Sequence, residues 1–257
     1  MIATGRAAPL AMLIGVLVAM LIGISKSKKR PPTLRRIAGF EAIEEAVGRA
    51  TEMGKTVFFT PGYADVSGST AAPSLAGLEI MSYVARLTAR YDTNLAVTVG
   101  HPNTYALTQE ILRNMYLAEG KLNAFHDDMI SFTSEIQFAF TAATLGVVQR
   151  EKPAACFYIG YFAAEAVVLS EAAVAVNAIS IAGATNFFQL PFFAAACDYT
   201  MIGEEFLAAG AFIAKDPKRT GGVVGQDYIK FIICVLVLAV SVLATFKVNA
   251  LADLLKR

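Results

Sequence analysis

The chain has 257 residues, of which 56% are hydrophobic and 17% charged, with no Trp and a formal net charge of +1. That balance is too apolar for an ordinary soluble domain and too charged for a chain made only of membrane spans, so it points to membrane and soluble parts in one polypeptide. A net charge this near zero supplies no global field to attract nucleic acid, which is not expected as a partner.

Residues 1–24 contain the uncharged run Ala7 to Ile24, about the length that crosses a hydrocarbon core, and read as a transmembrane helix. Lys26, Lys28, Lys29, Arg30, Arg35 and Arg36 follow at once, with only Arg6 upstream. This asymmetry argues against a cleaved signal and predicts an N-terminus outside and a cytoplasmic middle. Gly15, Ala19 and Gly23 recur at the spacing that lets two spans approach closely, and they form a candidate oligomer interface.

Residues 25–54 hold this basic linker and an amphipathic helix, where Ile37, Phe40, Ile43, Val47 and Ala50 recur at helical spacing between Glu41, Glu44, Glu45 and Arg49. Residues 55–219 alternate short β-rich runs with helical patterns. KTVFFTPG, NLAVTVGHP, DMISFTS, AACFYIGYF and AISIAGATN read as strands with helices between them, and one helix from Leu190 to Lys215 closes the domain. Five apolar strands in alternation with helices predict an α/β fold, a Rossmann-like, mostly parallel sheet with helices on both faces. Residues 220–227, which include GGVVG, read as a hinge. Tyr228 to Phe246 reads as a second transmembrane helix with Lys230 reaching the interface, and 247–257 as a short tail. Lys215, Lys218 and Arg219 agree with a cytoplasmic middle, whereas Lys247, Lys256 and Arg257 in the tail pull the other way.

Phe157 to Ala184 is apolar enough to be taken for a further span, but it carries Glu165, Glu171 and Asn177. Each carboxylate inside a bilayer would cost roughly 2.5 to 3.5 kcal/mol, which favours strand, helix and strand, with both carboxylates near the solvent edge of the helix. The many alanines of these segments let the helices pack closely on the sheet or on a neighbouring subunit.

In an open α/β sheet, ligands bind beyond the carboxyl ends of the strands. The loops predicted there bring Thr60, Asp65, Ser67, Ser69, His101, Asn103, Glu165, Thr185, Asn186 and Gln189 to one edge, a candidate ligand-binding rim. Asp65 and His101 could act as an acid/base pair with Ser67 or Ser69, although no G-x-S-x-G elbow is present. GYADVSGST matches neither phosphate-binding glycine motif, so no nucleotide cofactor is expected. His126, Asp127 and Asp128 are adjacent and cannot all face one ion from regular structure, so they read as a solvated loop and no metal is expected. Cys156, Cys197 and Cys234 lack paired spacing and read as small core residues. Phe187, Phe188, Phe192 and Phe193 form an aromatic cluster that is either core beneath a helix begun by Pro191 or a contact between subunits.

The stretches RIAGFEAIEEAVGRATEMGKTVFFTPG and GATNFFQLPFFAAACDYTMIGEEFLAAGAFIAKDP carry a resemblance to a family of uncharacterised prokaryotic integral membrane proteins, a domain of unknown function. The resemblance implies a prokaryotic inner-membrane protein and brings no activity or catalytic residue with it. Together these readings lead to the expectation of a membrane-anchored α/β domain that forms a homo-oligomeric scaffold or ligand-responsive assembly in the lipid bilayer. The alternative is a membrane-associated enzyme acting on a small or lipid-derived substrate at the rim.

Overall fold

The computed structural model describes residues 7–29, 36–214 and 217–245. Residues 36–213 form one compact unit, and the described parts of 1–35 and 214–257 form another. Arg6, Arg30, Arg35, Lys215 and the tail cations, on which part of the orientation argument rests, lie outside the described residues.

The larger unit opens with α2 (Ala38–Glu52), which buries Phe40, Ile43, Val47 and Ala50 and leaves Glu41, Glu44 and Glu45 exposed, as its period requires. There follow β1 (Val57–Gly62), α3 (Ala71–Tyr91), β2 (Leu95–Val99), α4 (Pro102–Ala118), β3 (Ile130–Phe132) and α5 (Gln137–Glu151). The second half continues with β4 (Ala155–Tyr161), α6 (Glu165–Ala175), β5 (Ile179–Ala184), α7 (Leu190–Ala196), β6 (Tyr199–Ile202) and α8 (Glu204–Ala214). Phe157 to Ala184 is therefore strand, helix and strand.

The six strands are all parallel, in the order β3-β2-β1-β4-β5-β6. The chain steps outward from β1 to β3, then crosses to β4 and steps outward the other way, so the order reverses between β1 and β4. This is the strand order of a doubly wound sheet. Successive residues of β1 serve opposite faces: Val57 and Phe59 join one core with Ile43, Val84, Leu112 and Phe206 from α2, α3, α4 and α8. Phe58 joins the other with Phe140, Leu169 and Phe193 from α5, α6 and α7.

The closing helix expected in this unit is corrected. The predicted helix Leu190 to Lys215 is interrupted by the sixth strand, β6, between α7 and α8. Asp198 and Gly203 bound that strand: the Asp198 carboxylate accepts from both the N–H (2.8 Å) and the hydroxyl (3.0 Å) of Ser180 on β5, and Gly203 turns the chain with φ +55°. Four residues are too few to imprint a period on an otherwise helical composition.

In the smaller unit, α1 (Ala7–Lys29) and α9 (Pro217–Thr245) lie against each other. A Cβ on Gly23 would stand 2.7 Å from Gly221 O and Gly225 N, one on Gly221 2.6 Å from Ile24 Cα, and one on Gly225 2.9 Å from Met20 Cα. Residue numbers fall along one helix as they rise along the other, so the pair is antiparallel. GGVVG, read as a hinge, lies inside α9, where Gly221 and Gly225 admit the backbone of α1. At the same end, Lys26 Nζ donates to the Tyr228 hydroxyl at 3.1 Å. Leu13, Leu17 and Leu21 of α1 and Phe231, Val235 and Leu238 of α9 are exposed on the outside of the pair. Thr220–Leu238 of α9, with a mean hydropathy of 1.7, is long and apolar enough to cross a membrane, whereas the apolar run of α1 over the described residues, Met12–Ser27, is shorter.

Candidate functional site

The carboxyl ends of β1 and β4, where the strand order reverses, are closed by backbone. Gly62 pairs with Tyr161 across a register shift, and a Cβ on Gly62 would lie 2.1 Å from Tyr161 O. One on Gly160 would lie 2.1 Å from Pro61 O, and one on Gly77 of α3 2.3 Å from Ile159 O. In dinucleotide-binding sheets the glycines at this turn make room for a pyrophosphate; here the room is taken by neighbouring chain. The next residue, Tyr63, crosses the end of β2 so tightly that a Cβ on Gly100 would lie 2.5 Å from its Cα. Its ring meets Tyr161 edge-on at 6.2 Å and Phe140 at 6.0 Å. Burial first, then the charge of Glu165 and the neighbouring Tyr161, push the Tyr63 hydroxyl above its ordinary range.

Beyond this plug, the loops after β1 and β2 build a polar network around Asp65. Oδ1 accepts from Val66 N (2.7 Å) and Asn103 Nδ2 (3.1 Å), and Oδ2 accepts from the Ser67 hydroxyl. The Ser67 hydrogen bond above all, then those of Asn103 and Val66 and the charge of His101, hold the Asp65 carboxyl below its ordinary range against the opposing effect of burial. Thr70 donates to Asp65 O (2.9 Å) and Thr104 to Ala64 O (3.0 Å), which ties the loop to the starts of α3 and α4.

His101 caps α4, just before Pro102 at the first helical position. Its Nδ1 lies 3.3 Å from Asn103 N, which donates to it, and 3.2 Å from Asp65 Oδ1. One nitrogen cannot accept from the first and donate to the second at once. A ring with a bare Nδ1 makes the helix cap, and a ring protonated there makes the ion pair with Asp65. Ser67 gives its hydrogen to Asp65 and not to His101, so the three groups do not form a nucleophile and base relay.

Glu165 belongs to a second network. It was expected near the solvent edge of its helix, but it is only 2% exposed. Oε1 accepts from Ala163 N (2.8 Å) and Oε2 from Gln137 Nε2 (2.5 Å), at the first turn of α6, where the helix dipole favours a negative charge. Glu171, on the same helix, is exposed. Thr60, expected on the rim, is buried inside the sheet: its hydroxyl donates to Thr98 O (2.8 Å) and accepts from Gly62 N (3.2 Å). Ser69 is exposed in the turn before α3, and Thr185 is half-buried after β5. Asn186 shapes that turn, donating to Phe162 O (3.3 Å) and accepting from Phe188 N (3.1 Å), and Gln189 is the residue before α7. The rim is thus three neighbourhoods: Asp65 with Ser67, His101 and Asn103; Glu165 with Gln137; and the β5 to α7 turn. Gln137 and Tyr63 were not anticipated, and the only signal for Gln137 was a polar side chain in an uncharged run.

Two open surface grooves lie away from this edge. One, of about 370 Å³, runs between α2 and the starts of β5 and β6, and the other, of about 460 Å³, between α4 and the turn around Phe125. Among the described residues no group of three or more His, Cys, Asp or Glu side chains could hold a metal ion.

Residues 2–255 match the family model described as Domain of unknown function (DUF6754). The chain belongs to the DUF6754 family. No curated protein and no solved structure matches it. The aromatic cluster of this DUF6754 chain divides between core and surface. Phe193 is buried between Tyr158 (6.3 Å) and Phe162 (5.3 Å), so it packs the interior, whereas Phe187, Phe188 and Phe192 are exposed. The small-residue face of α1 is likewise divided: Gly23 meets α9 of its own chain, Ala19 is buried, and a Cβ on Gly15 would meet nothing within 4 Å.

Proposed function

We propose that this protein is a membrane-tethered α/β module that assembles with copies of itself into a homo-oligomeric scaffold, with the α/β unit in the cytoplasm of a prokaryotic cell and the N-terminus outside. The observation that carries the reading is the outer surface of α5 to α7, where Phe138, Phe187, Phe188 and Phe192 are exposed, whereas on the other side of the sheet α2 exposes Glu41, Glu44, Glu45 and Arg49. The α1 and α9 pair, with large apolar side chains turned outward, is the membrane anchor in this reading. It joins the α/β unit at both ends, and chains held in one plane meet at high effective concentration. Native mass spectrometry of the full chain released from mild detergent tests it: a discrete multiple of the 27.4 kDa chain is expected, and a monomer at all concentrations would contradict it.

A second reading, a membrane-associated enzyme or sensor acting on a small or lipid-derived molecule, is favoured by the Asp65 and His101 pair. Asp65 orients the imidazole, which leaves proton transfer at His101 as the available chemistry. A small molecule retained in stoichiometric amount in the same spectra, and lost in His101→Ala, would support this reading.

A further inference from the structure

We infer that the outer face of α5, α6 and α7 is the surface on which one copy of this chain binds another, an inference that rests on the assembly reading above and assigns its interface. Large apolar side chains collect where these three helices begin. Ile136 is 70% exposed, Phe138 75%, Phe187 76% and Phe188 83%, and Val168 and Phe192 are exposed beside them. With about 150–250 Å² per aromatic side chain, these six leave on the order of 700 Å² of apolar surface in water. That exceeds what a monomer ordinarily leaves exposed in one patch and approaches the roughly 800 Å² per partner of a stable interface.

Charge decides what covers this surface. Residues 136–149 contain no charged side chain, and residues 153–197 contain only Glu165, which is buried, and Glu171. A membrane surface recruits faces through Lys and Arg beside the apolar residues; none lies at the helix starts where these side chains collect, since Arg150 is in the last turn of α5, at its other end, and pairs with Glu151, while Glu171 would be repelled by anionic headgroups. A partner chosen by its charge has only two carboxylates near these side chains to recognise, Glu135 and Glu171, and no cation. A second copy needs no charge, because an apolar patch on a twofold axis meets itself. The middle of α5 suits such a contact: Ala142, Ala143 and Gly146 are exposed, and a Cβ on Gly146 would meet nothing within 4 Å, so a facing helix can come close. The opposite layer contrasts with it, since α3 and α4 carry the Arg86, Arg90 and Glu119 ion pairs of a solvated surface.

The test uses the full chain in lipid nanodiscs. Phe188→Asp and Val168→Asp replace exposed side chains, so the fold should persist, as circular dichroism will report. Each is expected to weaken association at least tenfold, whereas Leu117→Asp on α4, 57% exposed, leaves the particle unchanged. In a Cys234→Ser background, a cysteine at Ala143 should be cross-linked between copies by a short bis-maleimide, and one at Leu117 should not. An oligomer untouched by both aspartates and not cross-linked at Ala143 would overturn the interface and leave the assembly reading standing. A monomeric wild type would overturn both. A monomer whose residue 168, labelled with an environment-sensitive dye, responds to vesicles would assign the face to lipid.

Discussion

Asp65 is the residue on which the β1 and β2 loops converge, and its charge is useful to the fold only while it is ionised. Because three hydrogen bonds and His101 favour the carboxylate, its folded value lies below the unfolded one. Its contribution is therefore complete above the ordinary carboxyl range, about pH 4, and is lost as pH falls through the lower folded value. Asp65→Asn should flatten the part of the acid unfolding curve below pH 4 and leave the neutral limb parallel to wild type; an unchanged acid limb would show that the network carries no linkage. Gly62 is constrained more sharply, with φ +93° and Tyr161 O where a side chain would begin. Gly62→Ala should destabilise the α/β unit by about 2–5 kcal/mol in denaturant titration.

At the scale of elements, β6 is held to β5 by Asp198 as well as by its ladder. Asp198→Ala strands the buried N–H and hydroxyl of Ser180 and should cost about 1–3 kcal/mol, seen as faster amide exchange confined to β5 and β6. In the α1 and α9 pair, Gly23→Leu should force the helices apart and lower the melting temperature in detergent, and Gly15→Leu should do neither, because its Cβ enters open space. Equal effects would mean that the close approach at Gly221 and Gly225 does not hold the pair together. These elements also show where the sequence was legible. Phe40, Ile43 and Val47 announced α2, and five runs of β-branched and aromatic residues announced five strands, since burial on both faces leaves a continuous apolar run. β6 was hidden because four residues between Ala-rich helices have no period of their own. GGVVG was taken for a hinge because the backbone that meets Gly221 and Gly225 belongs to α1, almost two hundred residues earlier. The rule that sites lie beyond strand carboxyl ends gathered Asp65, Ser67, His101 and Asn103. It could not tell that the Thr60 hydroxyl is spent on Thr98 or that Gln137 reaches Glu165, because those partners are fixed only by the packed backbone.

At the scale of the whole molecule, the sheet has one outer layer that carries ion pairs and one that exposes large apolar side chains. In the proposed assembly the anchors would hold this surface in a plane, where it can pair in one orientation, whereas the same unit free in solution would associate indiscriminately. The central claim is that copies meet in the bilayer without help from other proteins. The most direct measurement counts photobleaching steps of singly labelled full-length chains in supported bilayers, at a dilution where unrelated chains seldom coincide. The account predicts spots that bleach in two or more steps, reduced to one step by Phe188→Asp; single steps for the wild type at every density would contradict it.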